Sequence, residues 1–161
     1  MKVITIGVIV MSLIANIDAP VKETTFDDVD IICSMIDTLK DNTVDKIELA
    51  KAISKACNEY RIPYELMTAL IFVESSFRQY ASSEKLCLGY TQVNWKVHSW
   101  IDTTIVYEPE YNLMCGARIL REYYNINKDW NNALLRYNGV VKGSTYPNKV
   151  NKQIEKIKRS M

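Results

Sequence analysis

The chain has 161 residues, 48% hydrophobic and 24% charged, which fits one globular domain with a real core and excludes wholesale disorder. Its 20 Lys and Arg against 19 Asp and Glu leave a net charge of +1, without the basic excess of a dedicated nucleic-acid binder. Five Gly and four Pro exclude collagen-like or low-complexity chain.

Lys2 precedes an apolar run from Val3 to Ile14, followed by small Ala15 and Ala19. That is the layout of a secretory signal over residues 1–19, shorter than the roughly 20 apolar residues of a membrane span. Ile17 and Pro20 make the cleavage site imperfect, so an uncleaved N-terminal anchor stays open as the alternative. Export implies a periplasmic or secreted protein in an oxidising compartment. Cys33, Cys57, Cys87 and Cys115 are then an even, dispersed set expected to form one or two disulfides. Buried free thiols are the alternative, because Cys33 and Cys57 fall on apolar helical stripes. With His98 the lone histidine and no clustered ligands, neither a metal nor a cofactor is expected.

Residues 20–46 read as an acidic helical segment: Val21 to Ala50 holds eight acids and three bases. Thr25 with Asp28 has the form of a capping box, and Val29, Ile32, Cys33, Ile36 and Leu39 recur at helical spacing behind it. Asp41-Asn42-Thr43 breaks that helix, and Asp45 with Glu48 opens the next, whose stripe runs from Ile47 to Tyr60. Pro63 suits the first position of a helix reaching Ser75, apolar nearly all round and therefore central. From Arg78 to Trp95 the helical period is lost, and Ser82, Ser83, Gly89 and Thr91 predict loop or short hairpin. Further helices are expected from Pro109 to Tyr124, from Trp130 to Tyr137 before Asn138-Gly139, and from Lys149 to Arg159. The stretch from Lys142 to Met161 carries six bases and one acid, either a solvated face or a surface for an anionic polymer or membrane.

Glu74 closes the central apolar helix, with Leu70 and Ile71 one turn behind it. Loss of hydration there favours the neutral acid, the form a general acid needs to protonate a glycosidic oxygen. The bland alternative is a helix-end Glu reaching solvent or Arg78. Around it stand Glu74-Ser75-Ser76-Phe77, then Ala81, Ser83, Gly89 and Gln92, then Asn112, Gly116, Tyr137-Asn138-Gly139 and Tyr146. Ser83, Gly89 and Gln92 follow Glu74 by 9, 15 and 18 residues. This order and spacing resembles the catalytic domain of soluble lytic transglycosylases, a lysozyme-like family that cleaves peptidoglycan, over about Ile53 to Val150. The chain departs from the family pattern where Gly89-Tyr90-Thr91-Gln92 replaces Gly-Leu-Met-Gln, so Thr91 stands where a Met usually lines the sugar groove.

The resemblance implies a mainly α, lysozyme-like single domain with a small loop or hairpin region, its catalytic part spanning 47–161. It implies that Glu74 is the single acid/base, that Tyr137 orients it, and that Ser83, Gln92 and Asn138 bind substrate. Gly89 and Gly116 read as points of close backbone approach. Trp130 reads as core; Trp95 and Trp100 stay open between core and glycan contact. A second carboxylate would have to come from Asp102, Glu108 or Glu110, none in a matching position. The implied reaction is substrate-assisted, closing a 1,6-anhydro ring on muramic acid. A hydrolytic muramidase or a non-catalytic glycan-binding subunit remain the rivals. Peptidoglycan strands are the implied partner, with secretion, conjugation and phage assemblies left open as context, and no nucleic acid.

Overall fold

Thr25 and Asp28 cap each other, each side chain accepting the other's backbone N–H, and this box opens α1 (Phe26–Leu39). The structure, a computed structural model, describes residues 23–40, 42–43, 45–140 and 143–161; the expected leader at 1–19 lies outside them. Left-handed Asn42 and Asp45 turn the chain into α2 (Lys46–Tyr60), where Asp45 occupies the cap position but makes no side-chain capping bond. Pro63 falls at the cap of α3 (Tyr64–Ser75), one residue before the helix proper rather than at its first position. A two-residue antiparallel hairpin follows, β1 (Cys87–Leu88) and β2 (Val93–Asn94), with Cys87 opposite Asn94 and Leu88 opposite Val93. Then come α4 (Pro109–Asn127) with proline in its first turn, α5 (Trp130–Tyr137) and α6 (Tyr146–Ser160). The last helix starts three residues earlier than its apolar spacing predicts, because Pro147 occupies the first turn, where a missing N–H costs nothing.

The fold is mainly α and lysozyme-like, with one small hairpin among the described residues. One hydrophobic cluster takes Ile32 and Ile36 from α1, Leu49 and Ile53 from α2, and Met67, Leu70 and Ile71 from α3. Leu113 and Leu120 of α4, Leu134 of α5 and Ile157 of α6 complete it. Each such side chain contributes about 1.5–3 kcal/mol by leaving water. The central position expected of α3 is what the structure has: it packs against α1, α2 and α6. A smaller cluster of Val93, Ile101, Val106, Cys115 and Ile119 fixes the long loop region onto α4.

The expected disulfides do not form: Cys33, Cys57, Cys87 and Cys115 are all free. Cys57 fills the main cluster and Cys115 the smaller one, so the two buried thiols serve as small apolar groups in separate cores. Burial pushes both thiols up, away from the reactive thiolate. Trp130 packs on the main cluster and stacks on Tyr124 at 4.1 Å, Trp95 packs on the smaller one, and Trp100 is exposed beneath the Arg118 guanidinium. His98 lies against the rings of Trp100 and Tyr123, a packing role.

Candidate active site

Ser75 turns inward at the end of α3 and donates to the Ile71 carbonyl at 3.0 Å, which leaves Glu74 on the adjacent, partly accessible face. Past it the chain bends sharply, with Ser76 at φ 51° and Phe77 at φ 59°, two consecutive non-glycine residues in the left-handed region. That conformation costs about 1–2 kcal/mol per residue, offset by burial of Phe77 against Phe72. No basic residue sits in the last turn of α3, so its free carbonyls are served from outside. Lys40, just beyond α1, donates Nζ to the Ser76 carbonyl at 3.0 Å, and Arg78 gives Nε to the Ser75 carbonyl at 2.9 Å. Arg78 thus serves the helix end and makes no ion pair with Glu74.

Burial is the dominant influence on Glu74 and lifts its carboxyl pKa to about 7. The Tyr146 hydroxyl, at the first residue of α6, donates to Oε1 and pulls the other way, since it favours the ionised form. The carboxyl therefore keeps its proton up to near neutral pH, able to give it and to take one back. Asp102 is engaged by Thr104 at 2.6 Å and is exposed; Glu110 pairs with Lys55 at 2.5 Å on the α2 side; Glu108 is exposed at the cap of α4. None of the three acts on Glu74.

Tyr137 ends α5 near Glu74, whose charge helps to raise its phenol pKa after burial, the larger cause. Its hydroxyl donates to the Thr91 carbonyl at 2.7 Å instead of to the acid. The bond to Glu74 that the sequence led us to expect from Tyr137 comes from Tyr146, a residue in the motif pattern to which no role was attached. The Pro147 that opens α6 is the one sequence signal that places Tyr146 at a helix start. Asn138 donates to Ser144 Oγ at 3.2 Å, and that oxygen also accepts the Tyr146 N–H at 3.1 Å, so Asn138 steadies the entry into α6.

Gln92, itself left-handed at φ 49°, donates its amide to the Ala81 and Gly89 carbonyls, both at 3.0 Å, and staples the loop. Ser83 lies exposed in the turn before β1, accepting the Cys87 N–H at 3.2 Å and making no hydrogen bond to Glu74.

Thr91 does not line a groove. It is fully buried, and its hydroxyl and N–H both reach Asn112 Oδ1, at 2.8 and 2.9 Å. Asn112 Nδ2 in turn donates to Val106 at 2.8 Å and Leu88 at 3.1 Å. The glycines behave as the sequence predicts: a Cβ on Gly89 would lie 2.2 Å from Asn112 Nδ2, and one on Gly116 2.6 Å from the Thr91 side chain. Among the described residues no three His, Cys, Asp or Glu side chains form a group that could hold a metal.

The family model for the Transglycosylase SLT domain matches residues 51–159. A protein of Enterobacteria phage PRD1 described as "Transglycosylase" is 30% identical over 111 residues, 65% of this chain and 42% of that protein. The chain thus spans less than half the length of that curated relative.

Proposed function

Since the chain belongs to the Transglycosylase SLT domain family, we propose that it is a peptidoglycan lytic transglycosylase, cutting the β-1,4 bond between N-acetylmuramic acid and N-acetylglucosamine. The observation that carries this reading is Glu74: a single carboxyl, desolvated enough to hold its proton near neutral pH and gripped by the Tyr146 phenol. Two-carboxylate glycosidases place the second group roughly 5–9.5 Å away to attack the sugar or activate water. Among the described residues no other carboxylate acts on the Glu74 charge, which favours chemistry supplied by the substrate itself.

In that chemistry the Glu74 carboxyl gives its proton to the glycosidic oxygen as the bond to muramic C1 breaks. The neighbouring acetamide oxygen stabilises the positive charge developing at C1. The Glu74 carboxylate then takes the proton of the muramic C6 hydroxyl, and O6 bonds to C1, closing a 1,6-anhydro ring and restoring the acid. No water is consumed. The attack is intramolecular and enjoys a high effective concentration. Local opening of the wall, in remodelling or penetration, is the role this reading suits. The chain would act on the outer side of the inner membrane or beyond the cell; among the described residues no helix is long and apolar enough to cross a membrane.

Mass spectrometry of digested peptidoglycan tests the product. Anhydro-muramic ends, one water lighter than reducing ends, are expected, and loss of all fragments in Glu74→Gln. Reducing ends alone would make the protein a muramidase.

A further inference from the structure

We propose that the outer face of α6 is a binding track for the anionic peptide stems of the wall strand, continuous with the active site. This rests on the transglycosylase reading and names the part of the polymer held outside the reacting bond. Lys149, Lys152, Lys156 and Arg159 follow one another at intervals of three and four residues, so they share one stripe of the helix. Tyr146, Val150 and Ile157 are buried in the core on the opposite face, and all four cations are exposed. Over these positions the stripe runs about 15 Å at 1.5 Å per residue.

None of the four has an ion-pair or hydrogen-bond partner among the described residues; elsewhere Lys46 pairs with Asp37, Lys55 with Glu110 and Arg118 with Glu122. Glu155, the one acid of α6, is exposed on the flank of the stripe and pairs with neither Lys152 nor Arg159. Like charges at this spacing weaken a helix unless an external anion offsets them.

Position and chemistry select that anion. The stripe begins one turn beyond Tyr146, the residue bonded to Glu74, so its near end lies at the end of α6 that meets the acid. A membrane-surface helix needs free bulky apolar groups beside its cations. Here the apolar residues of α6 up to Ile157 are packed in or against the core, and only Met161 is exposed past its end. Carboxylates repeated along a strand, as peptide stems carry them, fit cations repeated along a helix.

The test uses Glu74→Gln, which holds the strand without cutting it, with and without Lys152→Gln, Lys156→Gln and Arg159→Gln together. Co-sedimentation with isolated peptidoglycan sacculi is measured over a salt series, beside sacculi stripped of stems and phosphatidylglycerol vesicles. All three replaced side chains are exposed, and an unchanged Tm checks the fold. We expect the triple change to weaken binding to stem-bearing sacculi about tenfold at low salt and to flatten the salt dependence. On stripped sacculi it should change binding less than twofold. Equal binding by both proteins, an equal loss on stripped sacculi, or tighter binding to vesicles than to sacculi would each overturn the proposal. Failure of the transglycosylase reading is read separately, as the absence of fragments from the wild-type protein.

Discussion

Glu74 and the two phenols near it divide their work in a way that mutation can separate. Tyr146 donates to the carboxyl and favours its ionised form, so Tyr146→Phe should raise the Glu74 pKa above about 7. Activity that needs the protonated acid falls as pH rises through that value. The alkaline limb of the pH–rate profile should therefore move upward while turnover drops about 10- to 100-fold. An unmoved limb would remove Tyr146 from this role. Tyr137→Phe loses a bond to a backbone carbonyl instead, and should be felt as about 1 kcal/mol of stability with the limb in place. Burying the acid also has a cost. The Glu74 pKa is raised from 4.5 to about 7 on folding, so its favourable contribution is complete below about pH 4.5 and is lost as pH rises through 7. Above pH 7 the wild-type protein gives up on the order of 3 kcal/mol. Denaturation of Glu74→Gln should thus match the wild type near pH 4 and exceed it in stability near pH 8. The acid itself was legible because an apolar helix ending in Glu is visible in sequence. Its phenol partner was not, because 72 residues separate the pair and two tyrosines compete for the role.

Asn112 binds three elements, and its loss should be felt by all of them. Its side chain holds the hydroxyl and N–H of Thr91 and the carbonyls of Leu88 and Val106, tying α4 to the hairpin and to the loop before Pro109. Asn112→Ala strands several buried groups and should cost about 3–5 kcal/mol in denaturant titrations. Gly89→Ala pushes a methyl to 2.2 Å from the same amide, and the pair should be strongly non-additive in a double-mutant cycle. The helices were legible to within a few residues because most repeat an apolar spacing over three or more turns, α5 with its eight residues being the exception. The hairpin was legible only as one of two alternatives, loop or short hairpin, since two-residue strands carry no alternation to fix their register. Thr91 misled for the same reason: sequence gives a residue its neighbours along the chain, while the direction of its side chain is set by Asn112 and Gly116 of another element.

At the scale of the molecule, α1 belongs to the same core as the matched family region although it precedes residue 51. Lys40, at its end, holds the Ser76 carbonyl two residues beyond Glu74, and Thr38 meets Ser160 at 2.8 Å. Composition made a sizeable core legible; this closure of the first described helix upon the last was not, because no local pattern encodes it. In stopped-flow refolding, helical signal should therefore appear before activity, which waits for contacts spanning 122 residues.

The bond between Tyr146 and Glu74 also sets a clock on synthesis. A ribosome adding about 5–20 residues per second releases Glu74 several seconds before the start of α6 follows it. Until then the carboxyl stands in water with an ordinary acidity, and nothing holds it against a sugar. If the chain acts as proposed, its acid is thus left without its phenol partner while residues 75–145 are being made. The pair of Tyr146 and Glu74 forms only when α6 docks.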